Sequence, residues 1–168
     1  MSESNGASAA IEDLWQRLAK VAEFSFTASN GPGSATDWRG HARGTVAVER
    51  EGSRADEAGA PQGDRLPRLL FREQAKFTSS DGRELEMQNC YRWTRLPGSL
   101  RLEHLRRDEP VLLFELQPVT RHGFRSAEAH LCGADTYTAE LLMRGSELEL
   151  IWQIHGPRKN ERLHYHYW

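Results

Sequence analysis

The sequence predicts an all-β fold: a single antiparallel up-and-down barrel of eight to ten strands, preceded by one N-terminal helix. After residue 23, apolar and polar residues alternate with the period of two that is typical of strands with two different faces. Turn signals such as Asp81-Gly82 separate these alternating segments at short intervals. Closure into a barrel is expected because an open sheet would leave exposed edges.

The composition favours one soluble domain. A chain of 168 residues can enclose a core or one modest cavity. The net charge of -2, with 22 basic and 24 acidic residues interspersed, argues against a nucleic-acid-binding surface. There is no run of roughly 18 apolar residues that could span a membrane, and residues 1–8 do not resemble a signal peptide. We therefore expect a cytoplasmic protein, with a disordered segment at 1–8, one domain over 9–168, and no nucleic-acid or membrane partner.

The segment before the first strand has the period of a helix. Ser8 can cap a helix over residues 9–22. Its apolar residues fall on one face, which consists of Ile11, Leu14, Trp15, Leu18 and Val21. This face predicts that the helix packs against or across the sheet.

The strands follow in order along the rest of the chain. Phe24 and Phe26 alternate in a first short strand, and residues 38–51 form a second. Residues 52–66 are rich in Gly, Ala, Asp and Pro without periodicity, which predicts a long mobile loop. Further strands are predicted over 68–78, 83–95, 100–107, 111–117, 124–132, 135–143, 147–155 and 161–168.

Several predicted strands carry one polar residue on an otherwise apolar face, as Glu73, Asn89 and His104 do. Burying an unpaired polar group costs about 1–3 kcal/mol, so these groups should converge on one another, on water or on a ligand. Each could instead have a structural partner of its own. We expect one interior cavity that binds a small-molecule ligand. Its predicted lining is Glu73, Asn89, Tyr91, His104, His130, Cys132, Asp135, Tyr137 and Trp152, with Lys159 near the mouth.

The C-terminal third holds the greatest concentration of chemically capable side chains. Asp135 with His130 could form an acid–base dyad, with Tyr137 and Lys159 as hydrogen-bond donors to a developing negative charge. His104, from another strand, is the third candidate catalytic residue. The sequence does not specify a reaction.

The two cysteines are predicted to be free thiols. Cys90 shares a face with Arg92, whereas Cys132 shares the opposite, inward face with His130, so their side chains cannot converge as a disulfide requires. His130 and Cys132 lie about 7 Å apart on one side of a strand and could share a metal. A single mixed pair differs from the two close-spaced pairs that are usual for zinc, so no metal site is predicted.

Two motifs in the C-terminal third resemble those of a poorly characterised lipocalin-like domain family of unknown function. They have the forms H-x-C-x-x-D-x-Y and W-x-x-x-G-P-x-K, and are carried by His130, Cys132, Asp135, Tyr137, Trp152, Gly156, Pro157 and Lys159. A W-x-G at Trp38 and Gly40 and an aromatic stretch at residues 91–93 are also similar. The resemblance covers nearly all of residues 36–168 and implies a calycin-type barrel, but no particular activity.

The last predicted strand alternates histidines with tyrosines. Either His164 and His166 face inward, where a neutral imidazole could bind haem, or Tyr165 and Tyr167 do, which suits an apolar interior better. In outline the barrel also resembles the haem-binding nitrobindins, which carry a proximal histidine near the C-terminus. The cofactor is therefore open, with haem as one alternative.

Three functions fit these observations. The leading interpretation is a small-molecule-binding barrel with acid–base chemistry in its cavity, as in an isomerase, cyclase or lyase. The alternatives are a non-catalytic carrier of an apolar ligand and a haem-binding protein. The sequence leaves open whether the protein is an enzyme, and it does not indicate an oligomeric state.

Overall fold

One helix and eleven strands make up the described part of the chain, which comprises residues 2–35, 38–51, 66–107 and 109–168 of a computed structural model, without the side chains of residues 2–4 and 132. The helix is α1 (Ser2–Leu18). The strands are β1 (Glu23–Asn30), β2 (Gly40–Glu51), β3 (Arg68–Ser79), β4 (Glu84–Arg95), β5 (Leu100–Arg106), β6 (Glu109–Pro118), β7 (Gly123–Ser126), β8 (His130–Cys132), β9 (Asp135–Arg144), β10 (Glu147–His155) and β11 (Asn160–Tyr167). Except for Leu66, the predicted loop at 52–66 lies outside the described residues.

The strands close into an antiparallel barrel. Around its wall the order is β1 to β7, then β9, β10 and β11, and β11 pairs with β1. The short strand β8 pairs with β9 alone and stands outside this ring. The prediction of an all-β barrel with one N-terminal helix is therefore confirmed.

Alternating residues of each strand fill the barrel interior. Phe24, Phe71, Trp93 and Leu141 are among its fully buried side chains. Removing each such side chain from water stabilises the fold by about 1.5–3 kcal/mol, so the interior supplies most of the hydrophobic stabilisation. The period of two in the sequence thus reports which side of the wall each residue occupies.

The helix covers one end of the barrel, which we call the helix end. Its buried face is the predicted one, with Leu14 and Leu18 fully buried. Glu12 forms an ion pair with Arg95 at the end of β4, and the Asp13 carboxylate lies 3.5 Å from Arg121 in the β6–β7 turn. The opposite end, formed by the β3–β4, β8–β9 and β10–β11 turns, is the distal end. Within the described part of the chain, no helical segment has the length and apolar character that a membrane span requires.

The helix and one strand have bounds that differ from the predicted ones. The helix runs from Ser2 to Leu18 rather than over residues 9–22, so the segment expected to be disordered is helical from Ser2 onward. Alanines 7, 9 and 10 favour a helix, and extending an anchored helix adds one hydrogen bond per residue. The strand predicted over 124–132 is divided into β7 and β8, because residues 127–129 leave the sheet between them.

Cys90 is a free thiol, as predicted. It lies on the outer face of β4, and partial burial raises the pKa of its thiol. A thiol whose pKa is raised carries less of the reactive thiolate at neutral pH, so Cys90 is a poor candidate nucleophile. The side chain of Cys132 lies outside the described residues.

Candidate functional site

A buried carboxyl group lies in the middle of the barrel. Glu73 of β3 is only 2% exposed, and the Tyr167 hydroxyl donates a hydrogen bond of 2.8 Å to its Oε2 atom. Its other oxygen, Oε1, is buried and has no hydrogen-bond partner among the described residues. Burial raises the pKa of Glu73 to about 8, against a smaller lowering by the Tyr167 hydrogen bond. Glu73 is therefore mostly neutral at pH 7 and carries a proton that it can donate.

Three tyrosines surround this carboxyl group. Tyr165 and Tyr167 project inward from β11, and Tyr91 projects inward from β4. Burial is the main cause that raises the pKa of all three phenols, and the nearby Glu73 carboxyl raises each of them further. The Tyr91 and Tyr165 hydroxyls are hydrogen-bonded to each other. All three hydroxyls are consequently protonated at neutral pH.

Trp152 of β10 brings a second unpartnered polar atom to the same place. Its Nε1 is buried, and no acceptor for its proton lies among the described residues. The Trp152 ring centroid lies 6.4 Å from that of Tyr91 and 5.8 Å from that of Tyr165. Tyr165 is stacked in turn on Tyr167, which donates the hydrogen bond to Glu73. Glu73 and Trp152, each with one unpartnered buried atom, are thus linked through Tyr165 and Tyr167. We call Glu73, Tyr91, Trp152, Tyr165 and Tyr167 the polar core.

Stacked aromatic rings lead from the polar core to the distal end. Tyr165 stacks on Phe26 with ring centroids 4.9 Å apart, and Phe26 lies 5.9 Å from Phe77. Phe77 stacks in turn on Trp38 at 5.5 Å. Trp38 is 39% exposed, so this row of rings runs from the interior to the surface. These rings form an apolar surface next to the polar groups.

His104 of β5 lies beside the polar core, with its ring stacked on Tyr91 at 4.8 Å. The Arg106 Nε donates a hydrogen bond of 3.0 Å to His104 Nδ1. Burial, and then the positive charge of Arg106, lowers the pKa of His104, so the ring is neutral at pH 7. Because Nδ1 accepts a hydrogen bond, the remaining proton is assigned to Nε2. Asn89, half-buried on β4, lies directly opposite Glu73 in the β3–β4 register.

The motif residues Asp135, Gly156 and Lys159 meet at the distal end. The Lys159 Nζ lies 3.7 Å from Asp135 Oδ2. A Cβ atom at Gly156 would lie 1.9 Å from Asp135 Oδ1, so only glycine allows the carboxylate this position. Tyr137, two residues after Asp135, pairs with Ile154 on the adjacent strand. Asp135, Gly156 and Lys159 form part of the barrel rim, whereas the partly buried Tyr137 packs against the hydrophobic core.

His130 lines a slit in the barrel wall. Residues 109–114 of β6 pair only with β5, and β8 pairs only with β9, so two unpaired edges face each other within the described residues. The opening is a pocket of about 330 Å³ that reaches His130, Leu112 and Phe114. The Phe114 ring lies 5.8 Å from that of Trp152, so the slit leads toward the polar core.

The structure brings some of the predicted lining residues together and separates others. Within the described residues, no hydrogen bond or ion pair joins His130 to Asp135, whose carboxylate pairs with Lys159 instead. Glu73, Asn89, Tyr91, His104 and Trp152 form one group in the middle of the barrel, whereas Asp135 and Lys159 lie at the rim and His130 at the slit. Tyr137 packs against the hydrophobic core. The position of the Cys132 side chain is outside the described residues.

Two of the polar-core residues, Tyr165 and Tyr167, were not predicted to belong to the site. Their inward direction follows from the alternation of the last strand, which turns His164 and His166 outward. Neither histidine therefore faces the interior, where a haem would bind. That Tyr167 meets Glu73 depends on the curvature of the wall, because two strands, β1 and β2, lie between theirs.

A protein family described as "Family of unknown function (DUF6314)" matches residues 28–168. The match covers all eleven strands except the first residues of β1 and leaves out α1. No curated protein and no solved structure matches the chain.

Proposed function

Since the chain belongs to this family of unknown function, we propose its role from the interior of the barrel: it binds a small, largely apolar molecule that presents an oxygen acceptor to the polar core. The observation that carries the proposal is the pair of unpartnered polar atoms, Glu73 Oε1 and Trp152 Nε1, buried against one cluster of tyrosines. Kinship with lipocalin-like barrels, which hold one small ligand, forms part of this proposal.

The two unpartnered atoms define what the ligand must offer. Leaving a buried donor or acceptor unsatisfied costs about 1–3 kcal/mol, so two in one place favour a bound partner or water. The indole of Trp152 can only donate. Glu73 is neutral at pH 7 and accepts from Tyr167 at Oε2, so Oε1 is the oxygen from which it donates. Two donors in the same tyrosine cluster suit a carbonyl or carboxyl oxygen of the ligand.

The aromatic rings suit the remainder of the ligand. Phe26, Phe77 and Trp38 form an apolar row that begins next to Tyr165 and ends at the surface. A pocket lined mainly by apolar and aromatic groups, with a few placed polar ones, is the usual form of a small-molecule site. The slit beside His130 offers a second approach to Trp152 through Phe114.

Acid–base catalysis is the finer form of the proposal. Two hydrogen bonds to a carbonyl oxygen stabilise the negative charge that develops there when a neighbouring proton is removed. The pKa of Glu73, about 8, leaves a fraction of it ionised near neutral pH, and this carboxylate can take the proton and later return it. The neutral His104 ring, stacked on Tyr91 with its proton on Nε2, is then a second donor beside Trp152. Isomerase, cyclase or lyase chemistry fits this arrangement. His130 and Asp135 are retained as candidate catalytic residues for a ligand that extends to the slit or the rim.

A non-catalytic carrier is the second candidate, because the stacked rings bind apolar ligands whether or not a reaction follows. The two candidates share the binding site and differ only in turnover. Mass spectrometry of the ligand that co-purifies with the protein, before and after prolonged incubation, separates them. A new product supports the enzyme, and an unchanged ligand supports the carrier.

The binding proposal is tested with pairs of probes that differ by one carbonyl oxygen. Acetophenone is compared with ethylbenzene, and 2-acetylnaphthalene with 2-ethylnaphthalene, by equilibrium dialysis. We expect each ketone to bind more tightly than its hydrocarbon. Trp152→Phe and Glu73→Met, which each remove one donor, should each remove about ten-fold or more of that preference, which corresponds to the loss of one hydrogen bond of about 1.4 kcal/mol.

The control for these substitutions is Glu86→Met, on the exposed outer face of β4. It changes the same chemical group without touching the interior, so the ketone preference should stay at the wild-type value. If neither ketone binds the wild-type protein more tightly than its hydrocarbon, the polar core does not recognise an oxygen acceptor and the proposal fails.

A further inference from the structure

We propose that the outer wall of the barrel carries a site for one divalent transition-metal ion, formed by His164 and His166 of β11 and Glu149 of β10. One ligand atom from each of these residues lies within 4.8 Å of the others, and among the described residues no other group of three or more such side chains does so. This site is independent of the proposed interior function, because the three side chains face away from the barrel interior.

The strand geometry places the three side chains together. His164 and His166 are two residues apart on β11, so both project from its outer face. Glu149 lies directly opposite His166 in the β10–β11 register. The two imidazole rings are stacked with centroids 4.7 Å apart, and Glu149 Oε1 lies 2.6 Å from His164 Nε2. The carboxylate is therefore already in contact with one of the two imidazoles.

The donor set selects the class of ion. Two imidazole nitrogens with one carboxylate suit zinc, nickel and copper, whereas magnesium and calcium prefer oxygen ligands. Zinc binds histidine nitrogen and carboxylate oxygen at about 2.0–2.2 Å, so ligand atoms within 4.8 Å of one another need only small side-chain rotations to share an ion. Three protein ligands on an exposed wall leave the remaining coordination positions to water.

The surroundings of the cluster leave room for an ion and hold the carboxylate in place. The Arg144 Nε lies 3.3 Å from Glu149 Oε2, which leaves Oε1 directed at the histidines. Such a second contact orients a ligating carboxylate. Arg144 is itself largely exposed, so solvent screens its positive charge. On the other side of β11, the small residues Ser25 and Thr27 lie opposite His166 and His164.

The same contacts also allow a simpler interpretation, in which Glu149 only forms surface ion pairs with Arg144 and with a protonated His164. The two interpretations differ in one requirement. Metal binding needs both histidines and the carboxylate together, whereas an ion pair does not involve His166. The substitutions below are chosen for this difference.

The test uses the full-length chain without a histidine tag. Zn²⁺ binding is measured by titration calorimetry, and Cu²⁺ binding by electron paramagnetic resonance, which reports the number of coordinating nitrogens. We expect one ion per chain and a signal from two imidazoles. His164→Ala, His166→Ala and Glu149→Gln should each weaken Zn²⁺ binding about ten-fold or more, and each histidine variant should lose one nitrogen from the Cu²⁺ signal.

The matched control is His155→Ala, which removes an exposed histidine from the same outer face of β10. Its Zn²⁺ affinity should equal that of the wild-type protein. Circular dichroism of every variant checks that the barrel is intact. The proposal is overturned if wild-type protein binds neither ion more tightly than a His164→Ala/His166→Ala double variant, or if His155→Ala weakens binding as much as His166→Ala does.

Discussion

The two ends of the barrel differ in what fills them. At the helix end, Leu14 and Leu18 of α1 and Trp93 of β4 are all fully buried. At the distal end, Leu85 is 59% exposed and Trp38 also reaches the surface. The polar core lies between the two, next to the row of stacked rings that runs to the distal end. One end is closed by apolar packing, whereas apolar and aromatic side chains are exposed at the other.

This difference indicates a division between stability and recognition. Close apolar packing stabilises a fold but leaves neither space nor an unpaired polar group for a ligand. Buried groups without partners lower stability and are tolerated where a ligand or water satisfies them. We therefore expect substitutions at the helix end to change the free energy of unfolding, and substitutions in the distal half to change binding.

The largest expected effect is at the helix end. Leu14→Ala should lower the free energy of unfolding by about 2–5 kcal/mol, because it removes a fully buried side chain and leaves a cavity. Leu85→Ala, at the exposed distal end, should change it by less than about 0.5 kcal/mol. Urea unfolding followed by circular dichroism measures both. Equal losses in the two variants would show that the two ends do not differ in this way.

The next effect is the pH dependence that Glu73 imposes on stability. Its pKa is raised from 4.5 to about 8 on folding, so between these values the folded state holds a proton that the unfolded state has lost. The contribution of Glu73 to the free energy of unfolding is therefore complete below pH 4.5. It decreases as pH rises toward 8, by up to about 1.4 kcal/mol per pH unit. Above pH 8 both states are ionised and the dependence ends.

Glu73→Gln tests this dependence because the amide cannot ionise. The contribution of Glu73 to the slope of the free energy of unfolding against pH, between about pH 5 and pH 8, should disappear in this variant. Urea midpoints at several pH values measure the slope. Glu86→Gln, on the outer face, should retain the wild-type slope. A slope that survives in Glu73→Gln would mean that another group titrates and that Glu73 is ionised in the folded state.

The sequence predicts which side chains of each strand point into the barrel better than it predicts which of those side chains touch each other. Alternation alone places Glu73, Tyr91 and Trp152 inward, because side chains on a strand point to opposite faces in turn. Which inward side chains touch depends on the strand register and on the curvature of the wall, and neither is determined by residues that are close in the sequence. Tyr167 reaches Glu73 from a strand far away in the sequence, and no pattern near either residue reveals that contact.

The slit and the contacts at the rim could not be predicted from the alternation of apolar and polar residues. The strand predicted over 124–132 lacked a turn signal strong enough to indicate the break at residues 127–129, and this break creates the slit beside His130. His130 and Asp135 lie close in the sequence, which suggested a dyad. The turn between β8 and β9 instead leaves Asp135 beside Lys159 and Gly156.

The smallest expected effect is that of the Asp135–Lys159 ion pair at the rim. Measuring it shows whether the distal end contributes to stability as the helix end does. Asp135 and Lys159 are both partly exposed, so water competes for each charge and the pair should contribute less than about 1 kcal/mol. A double-mutant cycle of Asp135→Asn and Lys159→Met, measured by urea unfolding, gives this coupling directly. A coupling above about 2 kcal/mol would show that the rim stabilises the barrel as the helix end does. A small coupling, together with altered binding of the acetophenone probe, would instead place the pair's role in recognition.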